Sequence, residues 1–192
     1  MALSKLRSVK HEIRIVGVDD GGFASVDLKK IYLIGVVFRG GDWLDGVLKA
    51  KVEVNGFDAT AKTLKMIRSS THYGQIRLLM LSGILFGKSN IVDVQQLSKR
   101  LRRPIIVLML EPLKELERRL KGSPFENEKT KLLKMFGEPV RLEYDRNKFV
   151  YVYLYGIDEI DAKEVMNIAC RVGGLPEPLR VARLIASALQ ST

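Results

Sequence analysis

The six residues Ile105 to Leu110, directly after Pro104, include no polar side chain. A strand of that composition has no face for water, so it belongs inside a sheet covered by helices on both sides. The preceding segment agrees. Ile76 to Leu81 reads as another strand, and Val94, Leu97 and Leu101 between the two have helical spacing, with Pro104 stopping the helix. Strand, helix and apolar strand in that order form a βαβ unit with parallel strands.

Upstream the pattern differs. Ile13 to Asp19 reads as a strand ending in the turn signal Asp19-Asp20-Gly21-Gly22, and Ile31 to Phe38 as a buried strand ending at Arg39-Gly40-Gly41. Leu48, Ala50, Val52 and Val54 alternate with Lys49, Lys51, Glu53 and Asn55, the period of a half-exposed strand. Short connections make these three an antiparallel meander. Asp58 or Thr60 then starts a helix running to about Tyr73. Downstream, Leu113, Leu116 and Leu120 mark one helix and Leu132, Leu133 and Phe136 another. Val140 to Asp145 and Phe149 to Tyr155 form a hairpin around Arg146-Asn147-Lys148, and two helices follow, about Asp161 to Arg171 and Glu177 to Leu189. The pattern predicts an α/β fold of ribonuclease H-like strand order. Its mixed sheet is a three-stranded antiparallel meander followed by parallel strands, flanked by helices, with an added C-terminal hairpin and two helices.

Nothing in the 192 residues marks a linker or repeat, so one domain over residues 1–192 is expected. No apolar run reaches membrane-spanning length, the basic start Met1 to Lys10 lacks a signal-peptide pattern, and Cys170 is the sole cysteine. These features predict a cytoplasmic protein with no membrane partner and no disulfide. The net charge of +10 predicts a polyanionic partner, and nucleic acid is the commonest one.

Several segments together resemble an archaeal domain-of-unknown-function family related to endonuclease V. They are residues 14–20 (RIVGVDD), 35–41 (GVVFRGG) with 43–47 (WLDGV), 55–60 (NGFDAT), 82–84 (SGI), 90–94 (NIVDV), 104–107 (PIIV) and 175–182 (LPEPLRVA). They run in order along nearly the whole chain. The resemblance implies a ribonuclease H-like fold with a carboxylate site for Mg2+ or Mn2+, since hard cations take oxygen ligands. Asp19 matches the first carboxylate, at the end of the first strand. Asp20 is expected on the opposite side of that strand if the backbone stays extended, so that only one of the pair faces the site. Asp58 and Asp93 are the remaining candidate ligands; a helix N-cap is the structural alternative for Asp58, and helix-dipole stabilisation for Asp93. Where the resemblance implies further acids, this chain has Asn55 and Ser82. Asp19 and Asp58 are the candidate catalytic residues, and Asp19, Asp20, Asp58 and Asp93 the candidate metal ligands.

Residues 83–89 (GILFGKS) do not make a phosphate-binding P-loop, because the motif needs four residues between its glycines and only three are present. Lys88 remains a candidate point charge for a phosphate, with Arg39 and the cluster Lys99, Arg100, Arg102 and Arg103 as further nucleic-acid contacts. Lys5, Arg7, Lys10 and Arg14 form a basic N-terminal arm. Tyr151, Tyr153 and Tyr155 read as a packed sheet face rather than a base-stacking one. His11 and His72 lie too far apart in sequence to suggest a zinc site or a catalytic triad. Of two readings, the preferred one is a nucleic-acid-binding domain with a degraded metal-dependent nuclease site. The alternative is an active Mg2+- or Mn2+-dependent endonuclease on DNA or RNA.

Overall fold

In the computed structural model, which describes residues 9–22, 28–145, 148–172 and 174–190, the meander consists of β1 (Arg14–Asp19), β2 (Lys30–Arg39) and β3 (Trp43–Glu53). Helix α1 (Ala59–Arg68), β4 (Leu78–Leu81), α2 (Val94–Leu101) and β7 (Ile105–Leu108) follow, with a small hairpin of β5 (Leu85–Phe86) and β6 (Asn90–Ile91) inserted before α2. The remainder is α3 (Leu113–Leu120), α4 (Glu126–Lys134), β8 (Val140–Asp145), β9 (Lys148–Tyr155), α5 (Glu159–Ala169) and α6 (Glu177–Gln190).

Seven strands form one mixed sheet in the order β3-β2-β1-β4-β7-β9-β8. β1, β4 and β7 run parallel, and the others pair antiparallel. Because β4 and β7 are apolar at every position, both of their faces are buried. Alternate residues of the strands point to opposite faces and build two cores. Val16, Val18, Leu79, Leu81, Ile105 and Val107 pack with Leu64 and Ile67 of α1 and Leu97 and Leu101 of α2. Ile15, Leu78, Met80, Ile106 and Leu108 pack with Val165 and Met166 of α5 on the other face. Ala182 and Ala186 of α6 cover Ile34, Val36 and Phe38 of β2.

Helix α6 lies unusually close to β1, and Gly17 permits it. A Cβ at Gly17 would stand 2.4 Å from the Pro178 carbonyl carbon. Through this approach α6 carries Arg183 to the end of β1.

Several elements differ from expectation. Helix α1 ends at Arg68 rather than near Tyr73, where the Ser69 hydroxyl turns back to donate to the Lys65 carbonyl at 2.8 Å and competes with the helix ladder. β3 extends back to Trp43, with a register irregularity opposite Val37 and Phe38. The three tyrosines of β9 do not share one environment: Tyr153 is buried and Tyr155 packs on Phe136, whereas Tyr151 is exposed beside Phe149. Lys5 and Arg7 of the basic arm, and Arg146 and Asn147 of the hairpin turn, lie outside the described residues. Among the described residues, no helix is long and apolar enough to cross a membrane.

Candidate active site

A cleft of about 290 Å3 opens at the C-terminal ends of β1 and β4. This is the end of a parallel sheet where ligands are usually held, because the connections there diverge to opposite faces. Asp19 ends β1, Asp20 follows it, and Ser82 follows β4; all three line the cleft. The expectation that Asp20 would face away fails because the strand stops at Asp19. The chain then turns through Gly21 and Gly22 at φ 82° and 69°, and this turn leaves both acids on the same cleft. At Gly21 a Cβ would lie 2.5 Å from the Ser187 nitrogen of α6, so the turn requires glycine both for its φ and for its space.

Both carboxylates are almost fully buried, and backbone amides hold them. The Gly21 N–H donates to Asp19 Oδ1 at 2.5 Å, and Ser82 also hydrogen-bonds the Asp19 carboxylate. Asp20 accepts from the Gly87 N–H at 2.8 Å on Oδ2 and from the Gly22 N–H at 3.3 Å on Oδ1. Burial raises the pKa of each above the ordinary carboxylate value, and these hydrogen bonds only partly oppose it. For Asp19 the neighbouring Asp20 charge adds to the rise. Among the described residues, neither acid has a lysine or arginine within salt-bridge distance. Among the described residues, the pair is therefore desolvated negative charge without a bonded cation.

Cations stand around the cleft instead. Arg183 of α6 lines it and acts on Asp19 through space. Arg119 of α3 lines it too, held bidentate by Glu111 at 2.7 and 2.9 Å while its Nε donates to the Lys88 carbonyl at 2.8 Å. Lys88 is at the tip of the β5–β6 hairpin with φ 70°, a left-handed backbone that side chains rarely adopt. Ile84, Leu85, Met109, Leu110 and Leu116 form the apolar wall of the cleft.

A hydrogen-bond chain supports the hairpin from behind. Lys129 of α4 is buried and donates to the Asn55 carbonyl at 2.9 Å and to the Ser89 hydroxyl at 3.1 Å. Asn55 accepts from Ser89 at 3.1 Å on its side chain, and its N–H donates to the Gly87 carbonyl at 2.8 Å. Gly87 in turn donates to Asp20. Lys129 has no acidic partner in this cage, and desolvation lowers its pKa. Asn55 thus has a positioning part here, at φ 58°.

The other candidates are placed elsewhere. Asp58 precedes α1 but does not cap it. Its carboxylate accepts from Asn90 Nδ2 at 2.7 Å, and Asn90 itself caps the helix by accepting from the Ala59 N–H at 2.9 Å. Asp93 is the N-cap of α2, accepting from the Gln96 N–H at 2.8 Å, and it faces a separate small pocket with Phe136 and Tyr155. Neither lines the acid cleft. Arg39 is bound to Asp45 at 3.0 Å, which also takes Arg14 at 2.9 Å. Lys99, Arg100, Arg102 and Arg103 stand at the opposite end of the sheet. Cys170, at the end of α5, is half-buried with its thiol pushed up to about 12 by burial, so it is not a reactive thiolate. Sequence reasoning missed Glu111, Arg119 and Arg183. Only Glu111 left a usable signal, as an acid three residues beyond the end of a parallel strand.

Comparison with known proteins agrees with this fold. The family model described as endonuclease dU matches residues 11–190. A UPF0215 protein of Methanothermobacter thermautotrophicus is 39% identical over 185 residues, covering 94% of this chain and 89% of that protein. One of Methanosarcina mazei is 36% identical over 184 residues, covering 94% and 92%. The crystal structure of a protein of unknown function from Archaeoglobus fulgidus superposes with a TM-score of 0.79 at 28% identity, covering 92% of this chain and 97% of that one. Endonuclease V of Ciona intestinalis, solved with a 24mer DNA containing an inosine followed by a ribo-adenosine, superposes with a TM-score of 0.59 at 13% identity, covering 98% and 87%. The fold is therefore that of endonuclease V, a ribonuclease H-like one.

Proposed function

The chain belongs to the endonuclease dU family, and from that premise we propose that it is a divalent-metal-dependent endonuclease that hydrolyses a phosphodiester bond in DNA carrying deoxyuridine. One observation carries this reading: Asp19 and Asp20 open together onto a single cleft at the end of the parallel strands, with cationic side chains around them.

The residues fit one divalent ion. Two desolvated carboxylates without a bonded cation are the donor set that a hard cation compensates. Among the described residues, no group of three or more His, Cys, Asp or Glu side chains is placed to hold a metal. That also fits Mg2+, which commonly takes one or two carboxylates and completes its shell with water and substrate phosphate. When bound, the ion supplies Lewis acidity and a water of lowered pKa. The chain's own residues do the rest. Asp19 and Asp20 would hold the ion, the Gly21 and Gly87 amides orient those carboxylates, and Arg119 and Arg183 would take the phosphate oxygens. The apolar wall of Ile84, Leu85 and Met109 suits an unstacked base.

The test is a nicking assay on a duplex with a single deoxyuridine. Strand cleavage is expected with Mg2+ or Mn2+, lost in chelator and in Asp19→Ala. A second reading, nucleic-acid binding by a degraded nuclease site, rests on Ser82, a neutral hydroxyl at the third acidic place. Tight binding without cleavage under either metal ion would overturn the first reading in favour of the second.

A further inference from the structure

Between residues 59 and 110 the chain has nine lysines and arginines and a single acid, Asp93, so these 52 residues contribute eight of the net charge of +10. The fold does not spread this charge evenly. Helices α1 and α2 lie side by side, and both start at the cleft end of the sheet, where Asp93 N–H donates to Thr60 Oγ1 at 2.9 Å. Both end at the far end, where Arg68 Nη2 donates to the Arg100 carbonyl at 2.6 Å. The far end is fixed by Arg103, whose Nε donates to the Ile76 carbonyl just before β4 at 2.7 Å, and by Arg77, whose N–H donates to the Arg14 carbonyl at the start of β1 at 2.9 Å. Lys65, Arg68, Ser69 and Arg100 line an open groove between the two helix ends.

Among the described residues, none of Lys65, Arg68, Arg77, Lys99, Arg100, Arg102 or Arg103 has an acid within salt-bridge distance. All but Arg103 are exposed. The helix dipoles favour a base or two at these ends, worth about 0.3–1 kcal/mol each at low salt. They do not account for a groove between two helices where two arginines abut and no counter-charge is provided. Arg102 adds a backbone cost, since it takes the left-handed C-cap position at φ 54° that glycine or asparagine usually fills. Uncompensated, like-charged and geometrically held side chains of this kind are what a phosphate backbone neutralises.

We infer that the α1–α2 groove is a second nucleic-acid site, separate from the acid cleft, that grips the phosphate backbone of the same duplex away from the reacting bond. Its occupant is double-stranded nucleic acid, chosen by charge and by reach. The ten-residue α1 puts the two ends of the sheet about 15 Å apart along the helix axis, and that distance corresponds to about four base pairs of duplex at ~3.4 Å each. One duplex reaching past the cleft thus touches both sites, and a very short one touches only the cleft. This inference goes beyond the catalytic reading: the place of the reacting bond rests on that reading, whereas the grip on the backbone rests on the groove's own charges.

The test is fluorescence anisotropy on a labelled 24-base-pair duplex across a salt series, with the full chain and with the variant Lys65→Ala/Arg68→Ala/Arg100→Ala/Arg102→Ala. The expected result is at least a tenfold loss of affinity at moderate salt. The slope of log affinity against log salt should also become shallower by about 0.9 for each phosphate contact removed. Mn2+ binding and melting temperature in the variant serve as controls on folding, and both should stay within error of wild type. Unchanged affinity and slope in a folded variant would overturn the inference and leave the cleft reading intact. So would wild-type chain that binds vesicles containing phosphatidylserine but not the duplex. Loss of binding in the variant, from a chain that never cleaves, would retain the groove and discard the cleft chemistry.

Discussion

Asp19→Asn separates the cost of the buried charge from the packing around it. The substitution keeps the shape of the side chain and its hydrogen bonds. The Asn Oδ1 still accepts from Gly21, which donates to Asp19 at 2.5 Å. The new Nδ2 faces Ser82 Oγ as a donor, so the Ser82 hydroxyl hydrogen, which serves the Asp19 carboxylate in the wild type, turns to the Val18 carbonyl 3.3 Å away. What disappears is a desolvated negative charge beside Asp20. Removing such a strained functional charge typically stabilises by about 1 kcal/mol, which raises Tm by about 2–4 °C for a chain of this length. The pH dependence gives the sign. Burial raises the Asp19 pKa in the folded state, so the folded chain binds that proton more tightly than the unfolded one. Wild type is therefore relatively most stable in acid and loses that contribution as pH rises through the raised value. In chelator, the variant should melt higher at neutral pH and match wild type in acid, where Asp19 is neutral. Added Mn2+ should raise the wild-type Tm and leave the variant unmoved. Circular dichroism melts decide the matter; a variant that melts lower at neutral pH, or a gap that persists in acid, would refute the reasoning.

Three further substitutions follow from the same geometry. Gly17→Ala places a methyl 2.4 Å from the Pro178 carbonyl carbon and should cost about 1–3 kcal/mol in denaturant unfolding, lowering activity as α6 and Arg183 shift. Lys129→Ala leaves the Asn55 carbonyl unpaired and opens a cavity, so stability should drop by about 2–4 kcal/mol and calorimetry should show weaker Mn2+ binding through the loosened Gly87–Asp20 contact. Ser82→Asp adds a third acid beside Asp19; calorimetry should show tighter Mn2+ binding, and the metal-free protein should lose about 1–3 kcal/mol.

Much of the fold is written in local patterns. The apolar run that contains β7, the period-two alternation of β3 and the hairpin of β8 and β9 are each set by contiguous residues, and each appears close to its expected place. The site is less legible because it is assembled from parts far apart in sequence. Asp19 could be read from its place at a strand end. That Asp20 joins it depends on a two-glycine turn pressed against α6, which strand alternation cannot foresee. Asp58 and Asp93 have the right residue type at the right end of the sheet, yet the Asn90 amide occupies Asp58 and the first turn of α2 occupies Asp93. Arg119 and Arg183 reach the cleft from α3 and α6, and nothing in their own segments distinguishes them from surface charge. Lys88 was recognisable as a cation but not as a strained one, because its φ follows from a hairpin too short to leave a periodic signal.

The most direct test is anomalous diffraction from crystals grown with Mn2+ and a short strand carrying deoxyuridine. The account predicts one manganese peak in the cleft, touching both Asp19 and Asp20 and a phosphate oxygen of the strand. A cleft without manganese while the strand is bound, or a peak ligated instead by Asp58 or Asp93, would contradict it.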